Sequence, residues 1–306
     1  MLRSLVDALA VSPTAETKSS VWINNDIRPL PPSRRSWDRF SYISFWAINQ
    51  ICLSNFQIGS SLVAIGLSVW QAVIAIILGK IIVALVAIFN GYVGATWHIG
   101  FPVWSRVVWG IYGSYVALIQ RVFFFLWQAT QAWTGGLCVT AVLSAIFSGF
   151  QHLENTFPAS SHLTTKDFIG WVIYNLITIP ILWVPPEKAN KPLVVMNAAT
   201  PMTSSQLGWA IVQGVTTVIG NIAVGLTNQP DYSRFARKPG DQVFGQWFSI
   251  IFLGVLLPVF GCLTSSASLQ IYGEAIWNPP NLALKWMDTD YNAKSRAAAF
   301  FAGEWI

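Results

Sequence analysis

Charge is what this chain has least of. Only 10% of its 306 residues are Asp, Glu, Lys or Arg, where soluble domains carry about 25%. Between Ser41 and Gly79 none of the four occurs, and similar uncharged runs recur to near the end. A helix rises about 1.5 Å per residue, so about 20 apolar residues cross a hydrocarbon core of about 30 Å. The run from Ser41 holds one crossing and most of a turn towards the next. These features exclude an ordinary soluble domain and leave a polytopic, all-α membrane helix bundle.

Cysteine and histidine are scarce too. Cys52, Cys138 and Cys262 lie inside apolar stretches and read as buried thiols acting as small hydrophobes. They offer neither a disulfide framework nor a zinc spacing. His98, His152 and His162 are dispersed and make no metal constellation. No Ser–His–Asp order, carboxylate pair, phosphate loop or dinucleotide fingerprint is supported, so nothing reads as an enzyme site and no cofactor is implied. The net charge of +5 does not point to nucleic acid, because the basic residues fall in short loops between apolar spans, where they set orientation. No cleavable signal is evident in the polar first forty residues.

What is abundant agrees: 54% of residues are hydrophobic and 16 are Trp, a residue that gathers at membrane interfaces. Residues 1–40 read as a cytoplasmic amino-terminal segment, since Arg28, Arg34, Arg35 and Arg39 precede the first span. Residues 41–306 read as the transmembrane domain. Spans are expected at 42–66, 69–91, 112–148, 168–184, 207–227 and 243–266, with a short interfacial helix at 97–109. The Lys/Arg-free stretch 150–165 reads as an external loop, 187–191 and 234–238 as cytoplasmic loops, and 273–296 as a mixed-charge loop.

Two basic loops then flank a single span, yet both ask for the cytoplasm. The stretch PLVVMNAATPMTSS between them is too short and too polar to cross alone. The simplest account is a span missing near 192–205. A re-entrant hairpin is the weaker alternative. With the helix that starts at Ala297 and the end at Ile306, the chain reads as a damaged or mis-assembled copy of a longer protein.

Polar groups in hydrocarbon face a bundle interior or a water-filled path. Gln50, Ser54, Gln57 and Ser61 recur at helical spacing. That stripe either lines a cavity or packs against another helix, and Gly59, Ser60 and Ser61 mark a weak point where the helix unwinds. Trp127 and Gln131 stand four apart, on one helix face. An indole plane one turn from an amide suits a flat heterocycle, which stacks on the ring and hydrogen-bonds to the amide. The plainer reading is an interfacial Trp beside a helix-pairing Gln. Gly220, Asn221, Gly225, Asn228 and Pro230 mark either a discontinuous helix at a binding site or an ordinary helix end. Lys80, mid-span with no acidic residue in the neighbouring spans, either snorkels on its long stem or faces a cavity, and the structural reading is the favoured one.

The segments NNDIRPLPPSRRSW (24–37), WQATQAW (127–133), NQPDYSRFARKPGD (228–241) and YGEAIWNPP (272–280) together resemble fungal members of the nucleobase–cation symport family, the uracil, allantoin, uric acid and cytosine permeases. The resemblance implies a LeuT-type fold of inverted repeats and a proton- or sodium-coupled permease in the plasma membrane. It implies that Trp127 stacks on the substrate ring and Gln131 hydrogen-bonds it. Gln50, Ser54 and Gln57 would add contacts from the first helix, and Asn221 from a broken sixth helix. The partners implied are a small heterocyclic substrate, the lipid bilayer and, for oligomerisation, related permeases. The family's fifth helix is absent between Lys191 and Gln206, and nothing matches its helices beyond the eighth. The rival reading is a non-transporting fragment of such a permease.

Overall fold

The computed structural model describes residues 27–181 and 204–303. The regular structure among the described residues is helical, with one isolated bridge between Trp37 and Ala236. After a 3-10 turn at Pro32–Arg34 come α1 (Arg39–Gln50), α2 (Leu53–Ala64), α3 (Val69–Trp97), α4 (Phe101–Ile146), α5 (Thr165–Ile181), α6 (Ser204–Thr227), the short α7 (Gln229–Ser233), α8 (Asp241–Phe248), a π-helical turn at Ser249–Leu253, α9 (Gly254–Tyr272), α10 (Pro279–Thr289) and α11 (Ala293–Gly303). Val69–Trp97, Phe125–Ile146 and Asp241–Tyr272 are long and apolar enough to cross a membrane. On α3 the residues Trp70, Ile74, Ile77, Leu78, Leu85 and Phe89 point outward. Such an apolar stripe is a liability in water and is solvated by lipid tails.

The first span is where expectation and structure differ most. A single helix over 42–66 with a weak point at Gly59–Ser61 is not what forms. The chain leaves helical geometry at Ile51 and Cys52, and α2 runs unbroken through Gly59 to Ala64. Side chains answer for the backbone groups that the break releases. The Asn55 amide donates to the Gln50 carbonyl at 2.7 Å. Gly59 is instead a contact point. A Cβ there would overlap the Pro258 carbonyl, and one at Gly261 would overlap the Phe56 carbonyl. So α2 and α9 cross backbone to backbone. Small residues at such crossings let dispersion and hydrogen bonds hold helices together where lipid removes the hydrophobic drive.

Two further corrections and one agreement concern helix ends. Helix α6 passes regularly through Gly220, Asn221 and Gly225 and stops at Thr227, so it is an ordinary helix end rather than a discontinuity. An unbroken helix satisfies its own backbone in hydrocarbon. The expected loop 273–296 contains α10, which Pro279 starts, and the first turn of α11. The short helix expected at 97–109 does form, as the stretch from Phe101 to Trp109: non-helical geometry at Gly110 (φ 72°), where a residue with a side chain would be strained, sets it off from the long span, and the two are numbered together as α4.

Two layers of packing result. Ile58, Leu62, Ile76, Val218 and Cys262 join α2, α3, α6 and α9, and Trp46, Val83, Ala87, Ile222 and Ile250 continue this core along α3. A separate cluster of Ala141, Ala145, Ala283, Met287 and Ala299 ties α10 and α11 to the far half of α4.

The ends of the bundle can be told apart. Leu30 donates to the His98 carbonyl at 2.8 Å, Trp37 to Phe235 at 2.9 Å and Arg237 to Trp37 at 2.9 Å. The amino-terminal arm and the loop 234–238 therefore share one end, as their basic residues predict. At the opposite end Gln151 donates to Asp288 at 2.6 Å. Helix α5 lies antiparallel to α4, with Gly170 against Thr140 and Tyr174 against Gly135, so it ends towards the basic end. Helix α6 lies parallel to α3, with Gly214 against Ala75, Val218 against Gly79 and Leu226 beside Asn90, so it starts at the other end. The expected missing span at 192–205 falls almost wholly outside the described residues; of the described helices on either side, α5 ends at Ile181 towards the basic end and α6 starts at Ser204 at the other.

Candidate functional site

The break between α1 and α2 brings three polar side chains together. Lys80, from the middle of α3, is buried (1% exposed), as are Gln50 and Asn55. Its ammonium donates to Gln50 Oε1 and to Asn55 Oδ1, each at 2.8 Å. One acceptor ends α1 and the other lies in the first turn of α2. The Gln50 amide nitrogen donates to Asn49 Oδ1 at 3.0 Å. A Cβ at Gly254 would meet Gln50 Oε1 and the Lys80 stem, so this glycine makes room for the cluster. It follows directly on the π turn, a distortion frequent at functional sites.

Along α2 the remaining stripe residues are also engaged. Ser54 Oγ lies 3.1 Å from Cys52 Sγ. Gln57 donates to Asn278 Oδ1 at 3.0 Å, Ser60 donates to the Trp277 carbonyl at 2.6 Å, and Ser61 bonds to the Ile58 carbonyl of its own helix. The stripe thus docks the segment before α10 onto α2. Because the helix breaks at Ile51 and Cys52, Gln50 and Ser54 do not lie on one continuous helical face. Beside this dock is a pocket of about 310 Å³ lined by Trp277, Asn278, Asn281, Glu274 and Lys285. At its rim Lys285 pairs with Glu274 at 2.8 Å, and that hydrogen bond and charge raise the lysine above its usual range.

Trp127 and Gln131 stand in the middle of α4, the indole 44% exposed and the amide half-buried. Helix α4 packs chiefly against α5, α10 and α11, while α1 and α2 pack against α8 and α9. Asn221 is half-buried on α6. The structure therefore gathers Gln50 with Lys80 and Asn55, and Gln57 with Asn278, and does not gather Trp127, Gln131 or Asn221 into that cluster. Reasoning from the sequence passed over Lys80 and Asn55 as site residues. The signal was there: an ionisable residue inside a membrane span is a functional hypothesis by default. Asn278 had no signal beyond its WNPP motif. Among the described residues no group of His, Cys, Asp or Glu is placed to hold a metal ion.

The family described as permeases for cytosine/purines, uracil, thiamine and allantoin matches residues 29–213 and 195–302. A relative named Transporter aclS, from Aspergillus oryzae, is 44% identical over 99% of this chain and 59% of its own length. The Saccharomyces cerevisiae protein named Uracil permease is 28% identical over 92% of this chain and 49% of its own, and the Thiamine transporter THI72 of the same yeast is 29% identical over 92% and 51%. The chain thus spans between about half and three-fifths of these curated relatives. Among solved structures it is similar to Mhp1, a nucleobase-cation-symport-1 family transporter in a closed conformation with bromovinylhydantoin bound. The TM-score is 0.61 at 19% identity, over 92% of this chain and 66% of that one. At that identity the likeness establishes the fold, the LeuT-type arrangement that the motifs imply.

Proposed function

Because the chain belongs to the family of permeases for cytosine/purines, uracil, thiamine and allantoin, we propose that it derives from, and in its complete form is, a cation-coupled secondary transporter of nucleobases or related small heterocycles. It works as a membrane transporter rather than as an enzyme. The observation that carries this reading is the pair Trp127 and Gln131, one turn apart on α4, with the indole half-exposed and the Gln131 amide bonded to no described residue. A planar ring stacks on the first and hydrogen-bonds to the second. Asn221 and Ser54 are further contacts. Gln50 and Gln57, assigned the same role by resemblance, spend their amide groups on Lys80, Asn49 and Asn278, so their part is to shape the site. The coupling ion is a proton or sodium, the location the plasma membrane with the amino terminus in the cytoplasm, and oligomerisation is with related permeases.

A second reading, a non-transporting fragment, is favoured by the ends of α5 and α6. The chain leaves one face of the bundle after Ile181 and resumes at the opposite face at Ser204. The alignment with the Aspergillus oryzae relative agrees, since it runs over 367 positions against 306 residues here, leaving about 60 positions of the relative unmatched. Radiolabelled uracil, allantoin and urate uptake separates the two. Both the chain as written and a version with an apolar span restored after Lys191 are expressed in cells lacking their own nucleobase permeases. Saturable uptake by the restored version alone is expected. Uptake by neither version, with both in the membrane, overturns the transport reading.

A further inference from the structure

Transporters of discontinuous-helix design hold their coupling cation at the helix break, on carbonyl and side-chain oxygens. In this chain that place is taken. Gln50 Oε1 and Asn55 Oδ1 both accept from Lys80 at 2.8 Å, and the Gln50 carbonyl accepts from Asn55. The positive charge at the break belongs to the protein itself. A metal cation brought within a few ångströms of it would be repelled by several kcal/mol at the effective dielectric of a protein.

Among the described residues no acid is placed against this charge. The elements packed against α3 are α2, α6, α7, α8, the π turn and α9. Helix α6, helix α2 and the π turn contain no titratable side chain. On α7, Asp231 accepts from the Phe101 amide, and on α8 Asp241 accepts from the Lys238 amide, both at the basic end of the bundle. Tyr232 packs against Phe45 at that end with the rings tilted, and Tyr272 of α9 lies by Lys285. Cys262 donates to the Gly59 carbonyl. On α1, Tyr42 bonds to the Tyr232 and Ser233 carbonyls. Cys52, in the break itself, is the titratable group that faces Lys80.

We propose that the Lys80 amine is a proton-binding site: protonated, it latches Gln50 at the end of α1 to Asn55 in α2, and deprotonated, it frees the two half-helices to separate. The ligand is a proton, which moves between the amine and water on whichever side the break faces. An ammonium offers three donors, and its hydrogen bonds are roughly twice as strong as neutral ones. The neutral amine keeps weaker bonds and loses the charge that the two amide oxygens converge on. This identifies the coupling ion and, in that role, rests on the transport reading above. The latch itself rests on the cluster alone.

The native Cys52 reports on it, being half-buried at the break while Cys138 and Cys262 are buried. The full chain in lipid vesicles is treated with N-ethylmaleimide from pH 6 to 10, and Cys52 modification is read by peptide mass spectrometry. Rates are compared with Lys80→Arg, which cannot release its proton. Thiolate fraction rises with pH in both proteins, so their ratio removes it. Loss of the lysine charge alone would disfavour the thiolate and lower the ratio; only opening of the break raises it. The ratio of wild type to Lys80→Arg is expected to rise about tenfold across this range. Asn55→Asp, which gives the ammonium a carboxylate partner, moves the rise to higher pH. A flat or falling ratio, or protection of Cys52 by sodium at constant pH, overturns the proposal. Saturable substrate uptake with a flat ratio sinks the latch alone. A rising ratio without uptake in the restored chain sinks the transport reading and leaves the latch standing.

Discussion

Trp37 stacks on Phe235 with ring centroids 5.4 Å apart, and the backbone of Trp37 donates to Phe235 and accepts from Arg237. Two segments almost two hundred residues apart are fastened at one end of the bundle, each rich in basic side chains. Both are expected on the cytoplasmic side. With Cys52→Ser as background, single cysteines at Ser33, Ser160 and Pro239 are labelled by an impermeant reagent in intact cells. Only the Ser160 position should react. Labelling at Ser33 would reverse the orientation.

The crossing of α2 and α9 leaves no space at Gly59. Gly59→Leu is expected to destabilise the bundle by about 1–3 kcal/mol, the usual cost of overpacking, and by more if the Pro258 carbonyl cannot retreat. Gly220→Leu, with nothing within 4 Å of its added Cβ, should be tolerated. Comparison of thermal unfolding in detergent checks both, and equal loss in the two variants would contradict the packing.

For the substrate pair, Trp127→Ala and Gln131→Ala in the restored chain should each lower affinity by tenfold or more while leaving the protein in the membrane. A lost stacking plane costs about 1–3 kcal/mol, and a buried hydrogen-bond partner left unmet costs about as much. Trp127→Phe keeps an aromatic face and part of the affinity. Uptake kinetics for Gln131→Ala that match the parent would refute its role.

Asp38 caps α1, accepting from the amide and the hydroxyl of Ser41 at 2.9 Å each. These bonds hold its carboxyl below the usual carboxylate range. A depressed folded-state value means that the stabilisation is full above the ordinary carboxylate value and disappears as pH falls through the lowered one. Tryptophan fluorescence of the amino-terminal arm, followed by acid titration, should show this loss in the parent and not in Asp38→Ala. Identical titrations would remove Asp38 from the account.

Much of this was legible in the chain. Uncharged runs of membrane length determine the helical class, because lipid supplies no hydrogen bonds and the backbone must bond to itself. Basic loops determine which segments share a face, and the spacing of Trp127 and Gln131 puts them on one side of a helix. The position of the break was not legible. Gly59 to Ser61 looks weaker than Ile51 and Cys52 by local propensity, but Gly59 is pinned by Pro258, and the chain opens where Asn55 and Lys80 can satisfy what the opening exposes. Nor does periodicity show that Lys80, 25 residues beyond Asn55 in sequence, reaches both halves of that break. A charge in a span announces a function; only tertiary packing decides which oxygens surround it, because those oxygens come from helices whose contact no local pattern records.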